Sequence, residues 1–213
     1  MITFALRVGV SALLLLAVPA SAESSRQVAY DAAQAAFDKG DWQAAIDGFR
    51  PLVPADPTSP LKSYEAVIAG LIGQSLIRIG KPHEAREWID RALAVTPAAD
   101  QGDLLLAAGD AARFAYDYPA AVAQYDKAFT VGDTNVRLNA AVGIGYAGAT
   151  SDPKHGAERL DAVLADPALK AKGMKQTLAL IEDLRARAAL NLGDLEGARS
   201  WATRAVDDSG GLT

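Results

Sequence analysis

One small pattern recurs along this chain, and it limits what the chain can fold into. Gly40-Asp41-Trp42 is followed by Ala45, Ile46 and Phe49, and Gly80-Lys81-Pro82 by Ala85, Ile89, Ala92 and Leu93. Tyr116-Asp117-Tyr118 is followed by Ala121, Val122, Tyr125 and Ala128, and Gly193-Asp194-Leu195 by Ala198, Ala202 and Ala205. A weaker copy runs from Asp152-Pro153-Lys154 to Ala157 and Leu164. Ala45, Ala85, Ala121, Ala157 and Ala198 stand 40, 36, 36 and 41 residues apart. Spacing of this kind marks a stacked-repeat protein.

Each unit reads as two helices. Twelve residues before each anchoring alanine stands a small residue: Ala33, Gly73, Gly109, Gly145 and Ala186. Small groups at both places let the two helices of a pair approach closely. Larger residues one turn further on, Phe49, Ile89 and Tyr125, fill the space between neighbouring pairs. The Gly-Asp or Tyr-Asp turn separates the helices, and its aspartate can accept from the free N–H groups of the second. Half of the residues are hydrophobic but only 7% are aromatic, since alanine dominates. That composition favours close helix packing over a β-sandwich.

These features resemble the tetratricopeptide repeat, a helix-turn-helix unit of about 34 residues. The resemblance implies an all-α, right-handed α-solenoid of about five repeats, near 26–59, 66–99, 102–135, 138–171 and 179–212. Pro57 and Pro97 fall where the family places its repeat-closing proline, which the last three units lack in register. The fourth unit carries Asp161 where an aromatic is expected, and Pro51 predicts a shortened or kinked second helix in the first unit. "PADPTSPLKS" and "DPALKAKGM" read as extended turns. Ser24 with Gln27 forms a capping box that predicts the start of the first helix. Arg185, Arg187, Arg199 and Arg204 suit a fifth unit that serves as its own polar cap.

Residues 1–22 have the layout of a cleavable signal peptide. Arg7 is the only charge, "VGVSALLLLAV" is a short apolar core, and Pro19 leads into Ala20-Ser21-Ala22. Eleven residues are too few to span a bilayer comfortably. Cleavage would leave 20 basic and 26 acidic residues, a net charge of −6. A chain this acidic, without a basic block, argues against nucleic acid as a partner. The expected location is outside the cytoplasm, periplasmic in a Gram-negative source, with no stable membrane insertion once the leader is removed. The absence of cysteine excludes disulfides, thiol catalysis, thiolate metal sites and a lipid-modified cysteine.

Motifs that carry chemistry are few. "GIGYAG", residues 143–148, is a literal G-x-G-x-x-G, but no β-branched run precedes it and "SDP" soon follows. A dinucleotide site needs a strand before the motif and a long helix after it, so the glycines read as helix contacts. His83 and His155 each lie two residues before an anchoring alanine, at exposed first turns in different units, which does not make a metal site. Trp88 and Trp201 occupy equivalent places and read as packing. No catalytic residue, cofactor or metal is assigned, and the expectation is a protein that is not an enzyme.

What the resemblance does imply is a concave groove lined by the first helix of each pair. Its candidate residues are Tyr30, Gln34, Phe37, Gln74, Arg78, Asp110, Arg113, Phe114, Tyr146 and Arg187. Aromatics, amides and arginines mix at these positions as they do at interfaces. Against binding stands the possibility that the arginines only pair with Asp38, Asp110 and Asp183. The functional expectation is an exported scaffold or adaptor for a protein or peptide, in cell-envelope assembly. A carrier of a small molecule or lipid would instead need an enclosed apolar pocket, and an enzyme would need convergent polar residues with shifted pKa values.

Overall fold

The computed structural model describes residues 20–172 and 175–209. All regular structure among them is helical: α1 (Ala20–Lys39), α2 (Trp42–Phe49), α3 (Ser63–Arg78), α4 (Pro82–Leu93), α5 (Gly102–Phe114), α6 (Tyr118–Val131), α7 (Thr134–Ser151), α8 (Pro153–Ala165), α9 (Pro167–Lys172), α10 (Lys175–Asn191) and α11 (Leu195–Ser209). The chain divides into two compact units, with the break between Val95 and Thr96. Most of the expected leader lies outside the described residues.

The turn inside each pair follows one design. At the end of α1 the N–H of Gly40 donates to the carbonyl of Phe37 and that of Asp41 to Ala36. The same two bonds close α3 through Gly80 and Lys81, α5 through Tyr116 and Asp117, and α10 through Gly193 and Asp194. This double bond satisfies carbonyls that the helix end leaves free, and it requires a left-handed residue at its centre. Gly40, Gly80 and Gly193 supply it at φ 78°, 77° and 81°; the third turn uses Tyr116 at φ 63°. A side chain there strains the backbone by about 1–2 kcal/mol. The aspartates then act as predicted. Asp41, Asp117, Asp152 and Asp194 accept from the N–H three residues on, in Ala44, Ala120, His155 and Gly197.

In the first unit α1 pairs with α2 and α3 with α4. The anchoring Ala45 and Ala85 are fully buried, and Ala33 is close behind. Ala33 leaves no room for a side chain on Gly48, whose Cβ would come within 2.8 Å of it; a Cβ on Gly73 would meet Ile89 at 2.6 Å. Pro51 ends α2 at Phe49 and turns the chain into a short 3-10 segment, Arg50–Leu52. The predicted extended turn follows and is tied down, because Arg91 of α4 donates to the carbonyls of Pro54 and Asp56 at 3.2 and 3.3 Å.

In the second unit α5 pairs with α6, α7 with α8 and α10 with α11. Tyr125 is the largest fully buried side chain among the described residues. Its ring lies between α5 and α7, where a Cβ on Gly109 or on Gly143 would approach it to 2.5 Å. A single ring thus spaces three helices, and two glycines make the room.

Three expectations need correction. The Ser24 cap does not start the first helix, which already includes Ala20-Ser21-Ala22-Glu23, residues that tolerate helix. "DPALKAKGM" is not simply a turn: Asp166 accepts from the N–H groups of Ala168 and Leu169, Pro167 sits at the first helical position, and α9 forms with Leu169 buried. The fifth pair differs from the others, because α11 has no buried residue and Ala198 is only half-buried.

Candidate partner-binding surface

Helix period sets which side chains a first helix can offer. The positions that follow the small contact residue by one, four and five turn away from the second helix. In the first unit they meet burial before they meet solvent. Phe37 is only 7% exposed and packs edge-on against Trp42, with centroids 5.3 Å apart. Tyr30 is half-buried, its ring 5.7 Å from Phe49 and its hydroxyl donating to Gln34 at 3.3 Å. Gln34 spends its amide on Asp38, and Gln74 is half-buried. Arg78 is exposed, with its guanidinium carbon 5.8 Å above the Trp42 ring. Among the described residues no carboxylate pairs with it. Phe37 therefore belongs to the core, while Arg78 stays on the surface.

In the second unit the candidates converge. Asp110, Arg113 and Phe114 come from α5 and Tyr146 from α7. Arg113 donates to Asp110 at 3.1 Å and to the phenol oxygen of Tyr125 at 3.2 Å. That phenol donates to Asp110 at 2.7 Å. The guanidinium carbon also lies 4.3 Å from the Phe114 ring centre and 5.9 Å from that of Tyr146. Burial first, and then the charge of Asp110, push the Tyr125 phenol well above the ordinary tyrosine range. Burial works against the charge of Arg113, but Tyr125 and Asp110 more than offset it and its pKa rises. The arginine is thus a fixed cation, held from below and flanked by two rings that remain 47% and 43% exposed.

Arg187 is exposed and pairs with Asp183 one turn away at 2.9 Å. Two of the three groove arginines accordingly have the carboxylate partner that the plainer reading assigned them. Neighbouring Asn191 donates to the carbonyl of Ala149, linking α10 to α7 at 2.7 Å.

Sequence reasoning treated Tyr125 and Trp42 only as packing. Yet Tyr125 holds Arg113 and Trp42 underlies Arg78. A signal was present: a buried tyrosine needs a hydroxyl partner, and Asp110 stands beside the glycine that admits the ring. His155 also differs from expectation. It is half-buried, and its Nε2 lies 2.6 Å from Asp126, which Arg159 also binds at 2.7 Å. His83 is exposed, as expected.

The glycines of "GIGYAG" lie inside α7, facing Tyr125, Leu184 and Gly156. They are covered by side chains and helix backbone where a cofactor would have to lie. Among the described residues, no group of three His, Cys, Asp or Glu is placed to hold a metal ion. No helix among them is long and apolar enough to cross a membrane. Open concavities of about 630 and 330 Å³ lie along α11, at Leu195, Arg199, Thr203 and Val206, and neither is an enclosed chamber.

The sequence matches no family model and no curated protein. Solved structures do match. A crystal structure of MamA superposes with TM-score 0.70 at 15% identity, covering 88% of this chain and 93% of that one. The fold is that of the tetratricopeptide repeat. TPR-like repeats of a kinesin light chain from Podosopora anserina agree, at TM-score 0.69 and 13% identity, with 87% and 95% of the two chains covered. A further MamA structure, MSR-1, gives 0.64 at 15% identity over 87% and 97%. The likeness makes this chain an α-helical repeat solenoid whose TPR units are longer than the usual 34 residues, the excess lying in the 53–62 segment and in α9.

Proposed function

We propose that this protein is an exported scaffold that holds a protein or peptide partner against the first-helix faces of its TPR units. The observation that carries this reading is the Phe114–Arg113–Tyr146 arrangement. Two half-exposed rings flank a cation whose position is fixed by Tyr125 and Asp110. Rigid aromatics beside a prepositioned arginine bury area on binding at low entropic cost, which is the character of interface hot spots. Arg78 offers a second, unneutralised cation in the other unit. The leader-like layout of residues 1–22 supports a place in the cell envelope, where such a scaffold would act in assembly.

The test is affinity capture from the source cell with wild type and two variants, Phe114→Ala and Tyr146→Ala. Arg113 is a poor first choice, because its removal strands Tyr125 and Asp110. Each ring removal weakens recovery of the wild type's partner by about tenfold, which is about 1.4 kcal/mol, with thermal stability nearly unchanged. Undiminished recovery by both variants refutes the reading.

A further inference from the structure

Four inter-helix turns make the same pair of backbone bonds, and three of them use glycine for the left-handed residue. Tyr116 does the same job at a conformational cost that its three counterparts avoid. Nor does the side chain recover that cost through burial, since it is 79% exposed. Its ring contact is with Tyr118, edge to face, with centroids 6.4 Å apart and planes at 88°. A large apolar ring that is both strained and wet is not accounted for by the fold. Strain of this kind gathers where a side chain is presented to something else.

We propose that the α5–α6 turn is a contact point for a partner segment bearing a lysine or arginine side chain. The Tyr116 ring is 79% exposed, and the negative quadrupole of its face attracts a cation. Asp117 stands between the two tyrosines in sequence, its carboxylate already committed to the turn as the cap of α6. It adds a fixed negative charge to a chain that is itself net −5. Ring faces and charge select a cationic occupant over an acidic one. This contact point lies at a turn tip and does not depend on the first-helix faces.

The experiment uses fluorescence anisotropy with two labelled octapeptides, one alternating arginine and alanine, the other carrying neutral citrulline in place of arginine. Tyr116→Gly restores the residue used by the other three turns, so it folds, and its melting temperature rises by about 2–4 °C. It nevertheless binds the arginine peptide about two- to fivefold more weakly than wild type, whereas Tyr116→Phe keeps the affinity. Because neither substitution alters the charge of the protein, the loss reports the ring. Equal binding by wild type and Tyr116→Gly overturns the proposal, as general acidity would then explain the attraction. Citrulline peptide that binds wild type as well as the arginine peptide also overturns it, and so does a Tyr116→Gly variant that fails to gain stability.

Discussion

The phenol of Tyr125 donates a 2.7 Å hydrogen bond to Asp110, fifteen residues earlier and on the preceding helix. The bond joins core to surface: the donor is buried, the acceptor is half-buried, and Arg113 touches both. Tyr125→Phe keeps the ring and removes only the hydroxyl, so it costs about 1.5–3 kcal/mol, the range for a bond to a charged group. Urea denaturation measures this. The folded phenol titrates above its unfolded value, so its contribution is complete below the ordinary tyrosine pKa and fades as pH rises beyond it. The advantage of wild type over Tyr125→Phe therefore shrinks above about pH 10.

Glycines at helix contacts fall into two kinds. Gly109→Ala and Gly143→Ala each press a methyl group into the Tyr125 ring and destabilise by about 1–3 kcal/mol. At Gly156 a Cβ finds only ordinary contact, 3.7 Å from Gly148. There alanine lowers the entropy cost of the helix, and Gly156→Ala is neutral or stabilising by up to about 1 kcal/mol. Thermal melts of the three variants check the division, and a uniform effect would contradict it.

Glu182 of α10 is 1% exposed, bonded through one oxygen to Arg204 at 2.8 Å, while its other oxygen is buried without a hydrogen-bond partner among the described residues. Burial first, then the charge of Asp208, raise its pKa, with Arg204 pulling the other way. A raised carboxyl contributes stability that is fully present below the ordinary glutamate value and is lost as pH rises through the folded value. Wild type therefore gains on Glu182→Gln as pH falls from neutral towards about 4.5, the carboxylates remote from Glu182 cancelling between the two proteins. Melting temperatures taken stepwise over that range give the difference, and a flat or reversed trend would be incompatible with the assignment.

Export makes a prediction of its own. Cleavage after Ala22 leaves a mature chain that starts at Glu23, which intact-mass measurement of exported material reads directly. Retention of "MITFALRV" in the soluble exported fraction would end the argument for a cleaved leader.

The repeat was legible because packing writes itself at fixed intervals. Ala45, Ala85 and Ala121 are fully buried, and Gly73, Gly109 and Gly145 sit against the side chains that a larger residue would strike. The exposure of the candidate positions was legible only in part, since a first helix turns some of its predicted outer positions into core. Phe37 went inward because Trp42, at the start of the next helix, gave it an edge-to-face partner. The fixing of Arg113 was missed because its support comes from Tyr125 on a second helix, and periodicity along one helix is blind to a contact from another. The break between Val95 and Thr96 left no mark beyond Pro97, which the repeat itself explained.

The bareness of α11 bears on how this protein ages. Local opening is cheapest where little apolar area is lost, so this helix can detach without disturbing Tyr125, although it gives up the Arg204–Glu182 bond to α10. Its amide protons then exchange with solvent long before those of α7, and a protease would nick the chain here while the rest remains intact. The useful lifetime of the protein is then governed by the least covered helix among the described residues, and reinforcement of α11 would extend it.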